Sequence, residues 1–172
     1  MLLSDLIEKY ILYLEYEKNA SPNTIENYSL WLGRLIEHTG DKDIASINQM
    51  ELLDWRMSLK QRDLSTKTIN YHITAVRAFL KRCHKMDIDC LVPEKLELAK
   101  VPPREIDHLT HEEVMRLLDA PLEFTEDLPT QARDRAILRT LYGSGLRVSE
   151  LTGLRIDQLP RDGGQQLSLI GK

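Results

Sequence analysis

A proline-containing stretch divides this sequence into two sets of helical patterns. Between Leu91 and His108, three prolines interrupt the spacing of the apolar residues, and no helical stripe continues across them. On either side, apolar residues recur every three or four positions, which is the period of a helix that buries one face. A chain of 172 residues has room for one domain or two small ones. We therefore predict two units, at 1–97 and 107–172, joined by a linker at 98–106.

The first unit is predicted to be a four-helix bundle. A serine precedes three of the four apolar stripes, at Ser4, Ser21 and Ser65, where its side chain can accept a hydrogen bond from a free amide of the first helical turn. Four helices with short connections pack into a compact bundle, so the expected fold is mainly α. The predicted helices cover about 4–18, 22–38, 48–61 and a fourth from Ser65 to about Cys83.

The second unit begins with a helix-capping pattern and ends in a strand-like segment. Thr110 and Glu113 stand three residues apart ahead of an apolar stripe, which is typical of a capping box. Further helices are predicted over about 130–142 and about 147–154. Residues 165–170 then partly alternate polar and apolar residues as a strand does. A lone strand leaves its backbone groups unpaired, so we expect the sequence to be truncated.

Composition excludes a membrane-spanning or secreted protein. No apolar run approaches the roughly 20 residues needed to span a bilayer, and Asp5 interrupts the N-terminal apolar run before a signal-peptide core can form. We therefore expect a soluble cytoplasmic protein. Cys83, His84 and Cys90 match no zinc-site spacing and lack a fourth ligand, so buried or exposed thiols are favoured over a metal site. The five histidines have no metal-ligand spacing either, and surface or cap positions are expected for them.

Charge is unevenly distributed along the chain. The formal net charge is −4, yet the segment from Lys60 to Lys85 holds seven basic residues and a single acid, Asp63. A local excess of positive charge indicates a polyanion partner, because a partner meets the charge on one face of the protein and not its net charge. The alternative is a solvated helix face with no partner. The residues alone leave both interpretations open.

The segment from Tyr142 to Leu151 is the most informative part of the sequence about catalytic chemistry. Its glycines end one helix and present Arg147 at the start of the next, with Glu150 three residues further on the same helical face. Backbone amides and a guanidinium together suit a pair of phosphate oxygens, and Glu150 could orient the guanidinium. The alternative is an exposed Arg–Glu ion pair of little energetic consequence.

Ten consecutive residues, Tyr142 to Leu151, resemble the first catalytic-arginine motif of tyrosine recombinases, in particular of the Xer and phage-integrase-like members. The segment 106–121, IDHLTHEEVMRLLDAP, resembles the opening of that family's catalytic domain. The segments 65–83, STKTINYHITAVRAFLKRC, and 21–28, SPNTIENY, resemble its N-terminal core-binding helices. The resemblance implies an N-terminal four-helix SAM-like core-binding bundle, followed by the truncated, mostly helical start of an α+β catalytic domain.

The resemblance also implies roles for three residues in DNA strand cleavage and rejoining. Arg147 would clamp the scissile phosphate, and Glu150 would support it. Lys172 matches the general acid of a β-hairpin turn, although a solvated terminal lysine is the alternative. The family reaction proceeds through a 3′-phosphotyrosyl intermediate and needs no metal or other cofactor. All six tyrosines precede Arg147 and none stands where the nucleophile belongs, so this chain alone is expected to be inactive.

In the resembled proteins, the helical bundle grips double-stranded DNA with its second and fourth helices. Lysine and arginine would neutralise phosphates, while asparagines could reach base edges. The candidate DNA-binding residues are Lys67, Asn70, Tyr71, Arg77, Lys81 and Arg82 of the fourth helix and Asn23 and Asn27 of the second.

The leading hypothesis is the N-terminal part of a tyrosine site-specific recombinase that forms a homo- or hetero-tetramer on DNA when whole. Chromosome-dimer resolution is preferred slightly over phage integration or mobile-element excision as its task. The first alternative is a non-catalytic DNA-binding module, a truncated regulator of a recombinase. The second is a helical protein-interaction domain, which the net charge of −4 favours.

Overall fold

The structure is a computed structural model that describes residues 1–103 and 105–158. The chain divides into two compact units, Met1–Arg104 and Glu105–Lys172. The strand predicted at 165–170 and the candidate residue Lys172 lie outside the described residues. Within the described residues every regular element is helical, and none of these helices is long and apolar enough to cross a membrane.

Unit 1 is a bundle of four α-helices, as predicted. Serine caps the second and fourth of them: the Ser21 Oγ accepts from the Thr24 amide at 3.3 Å, and the Ser65 Oγ accepts from the Thr68 amide at 3.1 Å. The first helix continues as a π-helical turn over Tyr13–Glu17. The helices are α1 (Leu3–Leu12), α2 (Pro22–Thr39), α3 (Gln49–Gln61) and α4 (Thr66–His84).

The N-cap predicted at Ser4 is wrong. Helix α1 begins at Leu3, with Leu2 at the N-cap position. The Ser4 amide and hydroxyl instead donate to the two carboxylate oxygens of Asp41, at 2.9 and 2.7 Å. A tertiary acceptor 37 residues away has replaced the local cap, because an aspartate satisfies the same free amide of the first turn.

The core of unit 1 is a dense cluster of apolar and aromatic side chains from all four helices. Trp55 is fully buried, and its indole N–H donates to the Arg34 carbonyl at 3.1 Å, so its polar edge is satisfied. Phe79 is 1% exposed and meets Tyr10 edge to face, with ring centroids 5.6 Å apart. These contacts bind α1, α2, α3 and α4 into one packed unit.

Side chains from α3 and α4 bind the chain that follows the bundle. Asn70 donates to the Ala99 carbonyl at 2.8 Å and accepts from the Ala99 amide at 2.9 Å. Arg56 donates to the Glu97 carbonyl at 3.1 Å, and Leu96 is buried. Unit 1 therefore holds its own C-terminal segment as far as Ala99.

Unit 2 contains three α-helices and a short 3-10 helix, Ile156–Gln158, among its described residues. The predicted capping box is confirmed: Glu113 donates its amide to the Thr110 hydroxyl at 3.3 Å and accepts the Thr110 amide at 2.7 Å. The second helix passes through Gly143 and ends at Gly145, whose φ of 67° is the left-handed conformation that glycine adopts freely. The helices are α5 (His111–Phe124), α6 (Leu128–Ser144) and α7 (Val148–Thr152).

Candidate functional site

The exposed face of α4 carries a row of basic side chains. Lys67 and Lys81 are exposed on it, Arg77 is partly exposed at its edge, and Lys85 is exposed directly after the helix ends. None of these four has a carboxylate within 4.0 Å among the residues that the structure describes. Positive charges that lack an internal counterion are available to an external anion.

Arg82 differs from the other basic residues of α4. Its guanidinium lies 3.9 Å from the centroid of the Tyr13 ring, and it pairs with Glu17 at 3.7 Å. A cation that lies over an aromatic face and beside a carboxylate has part of its charge already compensated. The structure thus separates Arg82 from the row formed by Lys67, Arg77 and Lys81.

The side chain of Asn70 also has hydrogen-bond partners within unit 1. Both ends of its carboxamide are bonded to the backbone of Ala99, as described above. Helical periodicity places Asn70 beside Arg77 and Lys81, but the structure gives the amide a partner inside unit 1. The carboxamide of Asn70 therefore contributes order to the end of the bundle.

A groove of about 580 Å³ lies between α2 and α4. Two predicted residues, Asn27 and Tyr71, line it. The Asn27 amide nitrogen donates to the Asn23 carbonyl at 2.7 Å, which holds Asn27 against its own helix. Tyr71 stacks on Trp31, with ring centroids 5.8 Å apart and planes 19° from parallel. The groove thus combines an aromatic wall with an amide group.

The residues at the back of this groove, Arg34 and His72, were not predicted. The expectation of a surface or cap role for His72 is wrong, because its side chain is fully buried. Its Nε2 lies 2.9 Å from the Arg34 Nη1, and its Nδ1 lies 2.9 Å from the Thr68 carbonyl oxygen. The spacing of Trp31 one helical turn after Asn27 is a signal that could have been read, but the contact between positions 34 and 72 has no local signature.

The electrostatics around His72 keep its ring neutral. Burial lowers the pKa of the imidazole, and the positive charges of Arg34 and Arg62 lower it further, against an opposing effect of the hydrogen bond to Thr68. Because a carbonyl oxygen only accepts, Nδ1 carries the proton and Nε2 accepts from Arg34. The Arg34 guanidinium is therefore held by a neutral ring.

In unit 2, Arg147 and Glu150 form the pair that the motif predicts. The Arg147 Nη1 donates to the Glu150 Oε1 at 2.8 Å, and the Arg147 amide donates to the Glu150 Oε2 at 2.8 Å. These hydrogen bonds, the backbone one first, lower the pKa of Glu150 below its ordinary value. The Arg147 side chain is 82% exposed, so its remaining donors face solvent.

The two cysteines are buried thiols within unit 1. Burial, more than the neighbouring Cys90, raises the pKa of Cys83 to about 12, and burial also raises the pKa of Cys90. A thiol with a raised pKa stays protonated and is a poor metal ligand. Among the described residues, no three His, Cys, Asp or Glu side chains converge in a way that could hold a metal ion.

Comparison with known proteins matches each of the two units to a phage integrase domain. Residues 7–84 match the phage integrase N-terminal SAM-like domain, and residues 107–167 match the phage integrase family. The chain is 35% identical over 161 residues to the tyrosine recombinase XerA of Thermococcus kodakarensis, covering 94% of this chain and 51% of the relative. It is 33% identical over 177 residues to the tyrosine recombinase XerC of Pelobacter propionicus, covering 99% of this chain and 57% of the relative.

A crystal structure of a XerA recombinase aligns with a TM-score of 0.44 and 25% identity, covering 91% of this chain and 51% of that one. The chain spans about half the length of the curated relatives it matches.

Proposed function

Since this chain belongs to the phage integrase family, we propose that it takes part in site-specific DNA recombination of the tyrosine-recombinase type. In this proposal, residues 1–97 are the core-binding domain and residues 107–172 are the N-terminal part of the catalytic domain. The linker at 98–106 begins with residues held to α4 through Asn70. The complete protein works in the cytoplasm as a tetramer of recombinase protomers on DNA, and chromosome-dimer resolution is the preferred task.

The observation that carries the DNA-binding role is the row of unpaired cations on α4. Lys67, Arg77 and Lys81 lie on or at the edge of one face, and no carboxylate among the described residues compensates them. Release of counterions from DNA phosphates drives the association of such a face with duplex DNA. Binding of this kind is compatible with a net charge of −4, because the acids lie elsewhere in the chain.

The catalytic role is proposed for Arg147. A guanidinium stabilises the charge that develops on the non-bridging oxygens while a tyrosine attacks the phosphate and the 5′ hydroxyl leaves. Glu150 holds one Nη and the Arg147 backbone amide, which aims the side chain and leaves donors free for phosphate oxygens. Lys172 is proposed as the general acid from its place after the motif.

The DNA-binding proposal is tested by the salt dependence of affinity. We would measure binding of the 172-residue chain to a mixed-sequence duplex between about 50 and 200 mM salt, and compare the Arg77→Ala, Lys81→Ala double variant. Each lost phosphate contact reduces the slope of log K against log salt by about 0.9, so the double variant should lose about 2. Its affinity should fall alike on all sequences.

A matched double variant controls for net charge. Lys9→Ala with Lys95→Ala removes the same two charges from exposed positions outside α4. We expect its slope to equal that of the unchanged chain. Equal slopes for both double variants, or binding that does not respond to salt, would overturn the role of α4.

Strand cleavage is a separate test. We expect no covalent protein–DNA adduct on a denaturing gel when this chain is incubated with a nicked duplex, because all six tyrosines precede Arg147. An adduct that disappears in Arg147→Ala would show that this chain supplies a nucleophile of its own and that the reaction depends on Arg147. That outcome would contradict the expected inactivity of the chain and keep the role of Arg147.

A further inference from the structure

The groove between α2 and α4 contains the guanidinium of Arg34, which is hydrogen-bonded to the buried ring of His72. Arg34 projects from α2, and its Nη1 meets the Nε2 of His72 on α4 at 2.9 Å. The His72 ring is fully buried, with the rings of Trp31 and Trp55 centred 5.7 and 6.3 Å away. An arginine fixed to a buried ring has fewer rotamers to lose on binding than a free surface arginine.

The contact with His72 uses one of the five N–H donors of Arg34. The hydrogen bond is made by Nη1, which leaves the edge formed by Nε and Nη2 unoccupied in the described residues. That edge is a planar fork with two parallel donors. A fork of this geometry matches the N7 and O6 acceptors of guanine in the major groove.

The rest of the groove suits a base edge better than a lone phosphate. No acidic side chain lines it in the part of the chain that the structure describes. Its walls include the Trp31–Tyr71 stack and the Asn27 amide, whose oxygen is not used by the hydrogen bond to Asn23. Apolar and amide groups around a fixed guanidinium suit the edge of a base, whereas the exposed lysines of α4 suit phosphate oxygens.

We propose that Arg34 reads a guanine edge in duplex DNA and that His72 is its positioning residue. The inference rests on the proposed DNA-binding function and adds a specificity-determining pair to it. Two elements contribute to the pair, so the alignment of α2 on α4 sets the direction of the fork. Lys67, Arg77 and Lys81 supply affinity for any sequence, and Arg34 supplies preference among sequences.

The first test is selection of binding sites from a randomised duplex pool by the 172-residue chain. We expect the selected sites to share a guanine, and replacing that guanine should weaken binding roughly 5-fold to 150-fold. The Arg34→Ala variant should lose the preference at that position while its salt slope on a mixed-sequence duplex stays unchanged. Arg34→Lys keeps the charge but not the fork, so it should behave as Arg34→Ala does.

The test of His72 must distinguish positioning of Arg34 from a general loss of packing, so it measures how the guanine preference depends on pH. The charged groups facing the ring are Arg34 from α2 and Arg62 at the end of α3, both positive, so protonation would oppose the Arg34 contact. In the unchanged chain, the guanine preference should still be present at pH 6.5. It should disappear only as the pH falls through the lowered pKa of the buried ring, while non-specific binding persists. A His72→Gln variant, whose carboxamide can accept from Arg34, should keep the preference at low pH.

The outcomes distinguish failure of guanine recognition by Arg34 from failure of the proposed DNA-binding function. Salt-dependent binding without any selected guanine overturns base reading by Arg34 and leaves DNA binding by α4 standing. A salt slope that falls by about 1 in Arg34→Ala and recovers in Arg34→Lys identifies a phosphate contact and also overturns the inference. Absence of DNA binding by the unchanged chain overturns both.

Discussion

The described parts of the two units are both helical, yet they differ in how much side-chain surface they bury. Unit 1 buries side chains from all four of its helices in one cluster that contains Trp55 and Phe79. In the described part of unit 2, burial is limited to Leu118 and Pro121, and α6 has no buried residue. Similar helical patterns thus accompany a packed core in unit 1 and two mostly exposed helices, α5 and α6, in the described part of unit 2.

Ion pairs join α5 and α6 in unit 2. Asp119 on α5 pairs with Arg139 at 2.9 Å and with Arg135 at 3.6 Å on α6. Exposed ion pairs of this kind contribute between zero and about 1 kcal/mol each, whereas burial of one large apolar side chain contributes about 1.5–3 kcal/mol. The comparison teaches that capping and charge patterns form helices, while apolar burial decides which of them make a stable unit.

The two phenylalanines of the chain offer the sharpest test of this difference. Phe79 is 1% exposed in unit 1 and Phe124 is 82% exposed in unit 2. We expect Phe79→Ala to lower the free energy of unfolding of unit 1 by about 3–5 kcal/mol, and Phe124→Ala to change that of unit 2 by less than about 0.5 kcal/mol. Urea titrations read by circular dichroism would measure both, and equal effects would break the comparison.

Separate unfolding of the units is the second expectation. Both tryptophans, Trp31 and Trp55, lie in unit 1, so their fluorescence reports on that unit alone. Helical circular dichroism reports on both units. We expect part of the dichroism to be lost at lower urea than the fluorescence change, because the described part of unit 2 buries less apolar surface than unit 1. Coincident transitions would show that the units unfold as one.

Removal of the Asn70 carboxamide should cost unit 1 less than removal of Phe79. Asn70→Ala leaves the amide and carbonyl of Ala99 without their partner, at a cost of about 1–3 kcal/mol. Tryptophan fluorescence in a urea titration would measure it. Asn23→Ala, at an exposed asparagine of α2, is the control and should change stability by less than about 0.5 kcal/mol.

The smallest effect expected is the pH dependence that His72 gives to unit 1. Its pKa is lowered from the ordinary value of 6.5, first by burial, so the unfolded chain binds this proton more readily than the folded one. The stabilisation is therefore present above the unfolded pKa and is lost as the pH falls through the lowered folded pKa. Fluorescence-detected urea midpoints should decline below pH 6.5 in the unchanged chain and less so in His72→Gln.

Much of the fold could be predicted because its signals are local. The caps at Ser21, Ser65 and Thr110 each act on an amide three residues away, and apolar periodicity marks one face of a helix. The Arg147–Glu150 pair is local in the same sense, since its members stand three residues apart. For each of these features, both partners of the contact lie within one short segment of the sequence.

Tertiary structure decided the contacts whose partners are distant in sequence. Ser4 has Asp41 as its partner, Asn70 has Ala99, and Arg82 has Glu17 and Tyr13, so three residues chosen by helical pattern were bound elsewhere. The sequence by itself determined the helices, the caps at Ser21, Ser65 and Thr110, and the arginine motif. Only the packing of α2 on α4 joined Arg34 to His72, because helical periodicity sets the direction of a side chain but does not identify the neighbour it meets.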